Sequence, residues 1–266
     1  SDHGATFSGA PNFAYDLCVA KISEEERQKL DLSTWCVAVN GAEPVRTETL
    51  DRFSRTFASC GFRPTAHLPA YGLAEATLVV SSTDAGVEPI ARRVRAESLG
   101  AGEIVDAGPH EHARVVVGCG REYENVVIAD PQTRMSLPDR RVGEIWAKGP
   151  SIAKGYWRNA EETAAVFDAY LADTGDGPFL RTGDLGFLDG QELYVTGRIK
   201  DVIIVAGSNH YPQDIERSVE EVGPELRRGC GIAGTREVDG EDRLIIVQEL
   251  HGKAIKMDTG PLIAAI

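Results

Sequence analysis

Two side chains of opposite charge, Asp184 and Arg198, bracket a stretch that otherwise reads as strand, turn and strand: FLRTGDLGFLDGQELYVTGRIKD, from Phe179 to Asp201. Phe187 and Leu188 precede an Asp189-Gly190 turn, and Leu193, Tyr194 and Val195 follow it, which is the signal of a β-hairpin. A hairpin returns the chain beside itself. A carboxylate entering it and a guanidinium leaving it can therefore flank one small polar ligand, the first accepting hydrogen bonds and the second donating them. The cis-diol of a ribose fits that pair, and a solvated hairpin with a surface ion pair is the plainer alternative. Gly183, Gly186 and Gly197 would let the backbone turn tightly or approach a ligand.

A second group of chemistry-bearing residues is Tyr71-Gly72-Leu73-Ala74-Glu75. It places a flat aromatic face, a tight glycine turn and a carboxylate within five residues, which could serve a purine ring and a phosphate-bound Mg²⁺ together. A core tyrosine beside a surface glutamate is the competing reading. Other candidates carry less. His110-Glu111-His112 has no further ligand nearby for a metal. Gly118-Cys119-Gly120 lacks the third glycine of a dinucleotide fingerprint and reads as a turn, and neither a GxSxG elbow nor a GxxxxGK[ST] loop occurs. Arg92, Arg93 and Arg95 read as a solvated face, with a basic docking patch as the minority alternative.

The elements that must position these residues follow an α/β order. Residues 4 to 16 show no period and read as a loop. Ser23 with Glu26 three positions on is a capping box opening a short helix that ends near Leu30. Trp35 to Val39 is an apolar run consistent with a buried parallel strand, delivering the chain into Asn40-Gly41-Ala42-Glu43-Pro44; loops after such strands are ligand territory. Leu50, Phe53 and Phe57 recur as one helical face across Arg46 to Cys60, and Gly61 stops it. A short strand around Ala66 to Pro69 leads to Tyr71, and Thr77 to Val80 reads as β-prone. From Ser81 to Gly108 the pattern weakens. Short strands at Val115 to Val117, Val126 to Ala129 and Gly143 to Ala147 suggest a small barrel or sandwich. A helix over Glu161 to Leu171 precedes the hairpin. Beyond Lys200, where a domain boundary is placed, come a strand at Val202 to Val205, a helix from Pro212, and strands near Gly231 and at Leu244 to Val247.

At 266 residues the chain can bury a substantial core, as one large domain or two smaller ones. Its formal charge of −13 argues against a phosphate-backbone footprint, so nucleic acid is not an expected partner. The five cysteines are widely spaced with no CxxC pair, which points to a reduced, cytoplasmic compartment. No apolar run approaches the roughly 20 residues that span a bilayer, and no signal-peptide layout is visible. Asp258 to Ile266 reads as a helix start, with a cap at Thr259 and an early Pro261, that stops after about one turn, so a fragment is expected.

Taken in order, SGAPNFAYDLC (8 to 18), VNGAEPV (39 to 45), PAYGLAEATL (69 to 78), GEIWAKGPSIAKGYW (143 to 157), RTGDLGF (181 to 187) and GRIKDVIIVAGSNHYPQDIE (197 to 216) resemble the adenylate-forming superfamily of acyl and aryl ligases. The match is greatest to the fatty acyl-AMP ligases, on PNFAYDLC, SNHYPQDIE and YGLAE with Ala74 where related ligases commonly carry Thr. The resemblance implies that Gly41, Ala42 and Glu43 border an adenine and that Tyr71 stacks on it beside Gly72. It further implies that Glu75 helps hold Mg²⁺, that Asp184 and Arg198 bind the ribose, and that Lys200 falls at a hinge. ATP and Mg²⁺ are the implied cofactors, with a fatty acid and an acyl carrier protein or polyketide synthase as partners.

The implied fold is α/β: residues 1–199 form the latter part of a large AMP-binding domain, with an α/β sheet portion (1–108) and a small β-barrel portion (109–199). Residues 200–266 hold the hinge and the start of a small α+β C-terminal domain that rotates between two half-reactions. In that pattern a Ser/Thr/Gly-rich phosphate loop belongs upstream of residue 1 and an adenylating lysine beyond Ile266, so the chain alone is expected to be a poor catalyst. The stretch 81–108 is where an insertion distinguishing this branch is expected. An acyl-CoA ligase and a non-catalytic adenylate-binding module are the rival readings.

Overall fold

The computed structural model describes residues 3–122, 125–205, 208–238, 241–252 and 257–266. The chain divides into two compact units, Ser1–Thr196 and Gly197–Ile266.

The first unit opens with a strand, β1 (Phe7–Ala10), and a helix, α1 (Asn12–Lys21), where the sequence reads as a loop. Four residues are too few for alternation to show. The helix buries only Asn12 and Tyr15, so its apolar period is faint. Helix α2 (Glu24–Arg27) starts on the expected capping box, with Ser23 Oγ accepting from the Glu26 amide while the Glu26 carboxylate accepts from the Ser23 amide. Strand β2 (Val37–Asn40) runs parallel to β1 on one side and to β3 (His67–Tyr71) on the other. Between β2 and β3 lies α3 (Thr47–Phe57), which buries Leu50, Phe53 and Phe57. Tyr15, Phe53, Phe57 and Phe62 pack into one cluster, with ring centroids of Phe53 at 4.5 Å from Phe57 and 5.0 Å from Tyr15. Edge-to-face and offset pairs of this kind add to area burial.

Residues 77–80 depart from expectation. Thr77 and Leu78 have φ of 53° and 91°, so the segment is a turn, not a strand. The chain must reverse there because β4 (Ser81–Ser82) pairs antiparallel with Ala70 and Tyr71 of β3. Gly72 makes this reversal possible: a Cβ on it would lie 1.5 Å from the Leu78 carbonyl oxygen.

Past β4, β5 (Ala91–Arg95) leads into a short helix, α4 (Ala96–Gly100), and pairs antiparallel with β6 (Ala113–Val117). The arginines here fasten neighbouring segments from the surface. Arg92 pairs with Asp106 and Asp189, Arg93 donates to the carbonyls of Pro109 and Glu111, and Arg95 pairs with Glu111. Arg93 and Arg95 are exposed and Arg92 half-buried, so the face is solvated as expected and is also tied down by these bonds. Strand β7 (Arg121–Glu122) joins β4. Strands β8 (Asn125–Ala129) and β9 (Gly143–Lys148), helix α5 (Ala160–Phe167) and the long hairpin β10 (Leu180–Asp189) and β11 (Glu192–Arg198) follow. Among the described residues the strands of this part form a five-stranded sheet, β1-β2-β3-β4-β7, a four-stranded sheet, β11-β10-β9-β8, and the β5-β6 ribbon. The ribbon meets the four-stranded sheet at the Gly118–Tyr194 bridge, and no closed ring of strands is traced among the described residues.

The second unit contains the β12 (Ile203–Val205) and β13 (Ser208–His210) hairpin, helix α6 (Pro212–Glu220), the β14 (Leu226–Val238) and β15 (Glu241–Leu250) ribbon, and α7 (Gly260–Ala265). Helix α6 is tied to β14 by Glu216, which accepts from the Ala233 amide. Ala206 and Gly207, within the last sequence block quoted above, lie outside the described residues. All five cysteines are free, and among the described residues no helix is long and apolar enough to cross a membrane.

His67 is the core residue with a direct pH consequence. It is 2% exposed among Phe62, Phe53 and Tyr15, with Nε2 2.9 Å from Ser54 Oγ and 3.2 Å from the Leu50 carbonyl oxygen. Burial pushes its pKa from 6.5 down to about 4, against the opposing pull of Leu50 and Asp51. The unfolded chain therefore binds a proton below about pH 6.5 that the folded chain refuses until about pH 4. Stability is expected to fall by up to about 3 kcal/mol as pH drops through that window, and to level off below it. Urea unfolding at pH 7, 5.5 and 4.5 checks this: His67→Gln should show a visibly smaller pH dependence than the wild type.

Candidate active site

Of the expected site residues of the first unit, Gly41, Ala42, Glu43, Tyr71, Gly72 and Glu75 sit at strand ends and their following loops, and Asp184 sits within β10. The loop after β2 carries Gly41, Ala42 and Glu43. Ala42 has φ of 69°, uncommon for a residue with a side chain. A Cβ on Gly41 would lie 2.8 Å from the Ala70 carbonyl oxygen, so this loop lies directly against β3, one residue before Tyr71. Glu43 is partly engaged, accepting from the Phe13 amide at 3.4 Å, and Asn12 anchors the loop by donating to the Pro44 carbonyl.

Tyr71 ends β3, buried, and its hydroxyl donates to Asp184 Oδ2 at 2.8 Å, joining residues 113 positions apart. Its ring packs into the core with Ala76, Val80, Ile145 and Leu193. Asp184 is 5% exposed. Its position follows from an irregularity in β10: the register against β9 slips between Arg181 and Leu185, and Gly183 takes φ of +72°, a left-handed conformation that glycine adopts without penalty. Glu144 fixes that bulge. It is 2% exposed, and its Oε2 accepts from Arg181 Nε at 3.0 Å and Nη2 at 2.8 Å, while its Oε1 accepts from the Gly183 amide at 3.1 Å. Thr182 Oγ1 donates to the Ile145 carbonyl and accepts from the Asp184 amide.

Glu75 lies in the 3₁₀ turn Ala74–Ala76 after β3, half-buried, and its Oε1 accepts from the Tyr156 hydroxyl at 2.8 Å. Burial, and then the hydrogen bond to Glu75 and its charge, push the Tyr156 phenol up to about 12. Among the described residues no group of three or more His, Cys, Asp or Glu is placed to hold a metal, so His110-Glu111-His112 forms no such cluster; Glu111 is spent on Arg95 and the Gly108 amide. A lone half-buried carboxylate suits Mg²⁺, which keeps its waters and is commonly held by one or two carboxylates plus substrate phosphates.

Gly41, Ala42, Glu43, Tyr71, Gly72, Glu75 and Asp184 thus all lie in the first unit, and the structure links β2's loop to β3 and Tyr71 to Asp184. Arg198, exposed, ends β11 in the second unit, and Lys200, also exposed, lies in the 3₁₀ turn Ile199–Asp201. Sequence reasoning missed Glu144, Arg181, Thr182 and Tyr156. One signal was available: a glutamate inside the apolar run of GEIWA would be buried, and a buried carboxylate requires a cation such as the arginine of LRTGD.

Parallel strands end in the loops that carry Gly41–Glu43 and Tyr71–Glu75, next to an antiparallel sheet whose bulge brings a buried carboxylate to a tyrosine. Residues 1–157, more than half of the chain, match the AMP-binding enzyme family, and the chain belongs to that family. A medium-chain-fatty-acid–[acyl-carrier-protein] ligase, JamA of Moorena producens, is 50% identical over 256 residues, covering 94% of this chain and 43% of that protein. Among solved structures, one from work on fatty acyl-adenylate ligases of E. coli and L. pneumophila superposes with a TM-score of 0.87 at 34% identity, over 100% of this chain and 46% of that one. The L. pneumophila fatty acyl-adenylate ligase in complex with acyl adenylate and pyrophosphate gives 0.75 at 42% identity, over 99% and 46%. The chain spans less than half the length of these relatives.

Removing the cation from the bulge tests its packing. Arg181→Met is expected to destabilise the protein by roughly 3 kcal/mol, because Glu144 is left buried and unpaired. Glu144→Gln with Arg181→Met should recover much of that loss, and urea denaturation of the single and double variants measures both.

Proposed function

We propose that this chain supplies the adenosine-binding portion of a fatty acyl-AMP ligase. In the reaction a fatty acid carboxylate attacks the α-phosphate of ATP, pyrophosphate leaves, and an acyl adenylate forms; the acyl group then passes to the thiol of an acyl carrier protein or polyketide synthase. The observation that carries the reading is the Tyr71–Asp184 hydrogen bond, which draws two family blocks together within one unit, beside the Gly41–Glu43 loop.

Each residue's part follows from its chemistry. Asp184 accepts from the ribose hydroxyls, as a carboxylate can. Arg198 donates to the same sugar. The family resemblance assigns Tyr71 to the adenine, although its ring is largely packed into the core, and the backbone of Gly41, Ala42 and Glu43 to the adenine's edge. Gly72 keeps the turn after Tyr71 narrow. Glu75 holds Mg²⁺, which when bound neutralises charge on the phosphate oxygens. We assign residues 1–199 to the latter part of a large AMP-binding domain, with 1–108 its sheet portion and 109–199 its barrel portion. Residues 200–266 become the hinge at Lys200 and the start of a C-terminal domain, and the division into compact units near that point supports this. Free cysteines throughout agree with a cytoplasmic setting.

Two measurements test the reading in the full-length protein. Asp184→Ala should weaken binding of ATP and of a non-hydrolysable acyl-adenylate analogue by roughly 10- to 150-fold, since a hydrogen bond to a charged group is worth about 1.5 to 3 kcal/mol; unchanged affinity by calorimetry refutes the ribose assignment. With fatty acid, ATP and CoA supplied, mass spectrometry should find acyl adenylate accumulating. Acyl-CoA as the main product would instead assign the protein to the acyl-CoA ligases.

A further inference from the structure

The segment after β9, Gly149 to Trp157, is strapped across the turn after β3 by three hydrogen bonds from separate residues. The Ala153 amide donates to the Glu75 carbonyl oxygen at 2.7 Å, Thr77 Oγ1 donates to the Ser151 carbonyl oxygen at 2.5 Å, and the Tyr156 hydroxyl donates to Glu75 Oε1 at 2.8 Å. The first two suffice to fasten the backbones. The third is made to a side chain, and to the one carboxylate assigned to a cation. Tyr156 is itself held in place: its amide donates to Thr163 Oγ1 on α5 at 2.9 Å, and its ring meets Phe167 edge-on at 5.2 Å.

A glutamate has three side-chain torsions to fix when it binds a cation, and a donor that already fixes them lowers the entropy cost of binding. The choice of donor matters. A lysine or arginine would neutralise the carboxylate and compete with the cation, whereas a phenol orients it and leaves its charge in place. A phenol, with an ordinary pKa of about 10, remains a donor throughout the neutral range.

We propose that Tyr156 is a positioning residue for cation binding: it secures Oε1 of Glu75 so that Oε2 is the oxygen offered to a divalent cation arriving with nucleotide phosphates. This rests on the assignment of Glu75 as a cation ligand, and the test separates the two. In the full-length protein, Mn²⁺ binding in the presence of a non-hydrolysable ATP analogue is read from the loss of the free-Mn²⁺ paramagnetic resonance signal. Tyr156→Phe keeps the ring on Phe167 and removes only the hydroxyl. It should weaken Mn²⁺ binding about 3- to 10-fold, the scale of one hydrogen bond, with the thermal midpoint and the cation-free affinity for the analogue unchanged. Glu75→Gln should weaken Mn²⁺ more than Tyr156→Phe does. Wild-type Mn²⁺ affinity in Tyr156→Phe, with a loss in Glu75→Gln, overturns the inference and leaves the cation assignment standing. Wild-type affinity in Glu75→Gln overturns both. A fall in thermal midpoint and in cation-free affinity in Tyr156→Phe, equal to its loss of Mn²⁺ binding, also overturns the inference by giving the hydroxyl a purely structural role.

Discussion

A carboxylate shut away from water must find positive charge or donors, and Glu144 shows how far that requirement reaches. Burying it in β9 compels Arg181 to lie against it, and its second oxygen captures the Gly183 amide, which would otherwise seek a partner in the sheet. The ladder between β9 and β10 cannot remain regular under those bonds. It slips, and the slip carries Asp184 out of the ordinary alternation to the hydroxyl of Tyr71. The aromatic end of one sheet and the bulged strand of another are thus joined through a chain of hydrogen bonds whose root is one desolvated charge. Arg181 also lies over the Trp146 ring, 5.6 Å from its centroid, so the pair is sealed by an apolar face.

The parts of the fold that were legible in the sequence are those where local chemistry and tertiary need agree. The Asp189-Gly190 turn, the Ser23–Glu26 box and the Leu50, Phe53, Phe57 stripe each specify one conformation with no help from distant residues, and each is found. Helix α6 starts at Pro212 for the same reason. Where the two conflict, the tertiary demand prevails. Thr77 to Val80 has the β-branched composition of a strand, yet the antiparallel return of β4 onto β3 forces it to turn. β1 and α1 were hidden for another reason: strand pairing with Val37–Asn40 defines β1, and no four-residue segment advertises its partner. The arginines at 92, 93 and 95 read as a solvated face and largely are one; their partners, the carboxylates of Asp106, Glu111 and Asp189 and the carbonyls of Pro109 and Glu111, are recognisable only in three dimensions.

For the site, residue type was readable and contact was not. A tyrosine, a glycine and a glutamate in five positions suggest a nucleotide, but nothing in their spacing reveals that Tyr71 reaches Asp184 or that Tyr156 reaches Glu75. Those two contacts share a logic. In each, a carboxylate assigned to a ligand is held by a phenol, a neutral donor that restricts its motion while preserving its charge.

Next to Tyr156 the chain places Trp157, 87% exposed, with the Arg158 guanidinium 5.5 Å from its ring centroid. The chain has three tryptophans; Trp35 is half-buried and Trp146 fully enclosed. An indole in water emits at longer wavelength than one in a dry core, and collides with dissolved quenchers that cannot reach the core. The acrylamide-accessible, red-edge part of the fluorescence of residues 1–266 is therefore dominated by this one position, a native optical reporter immediately beside the residue that steadies Glu75.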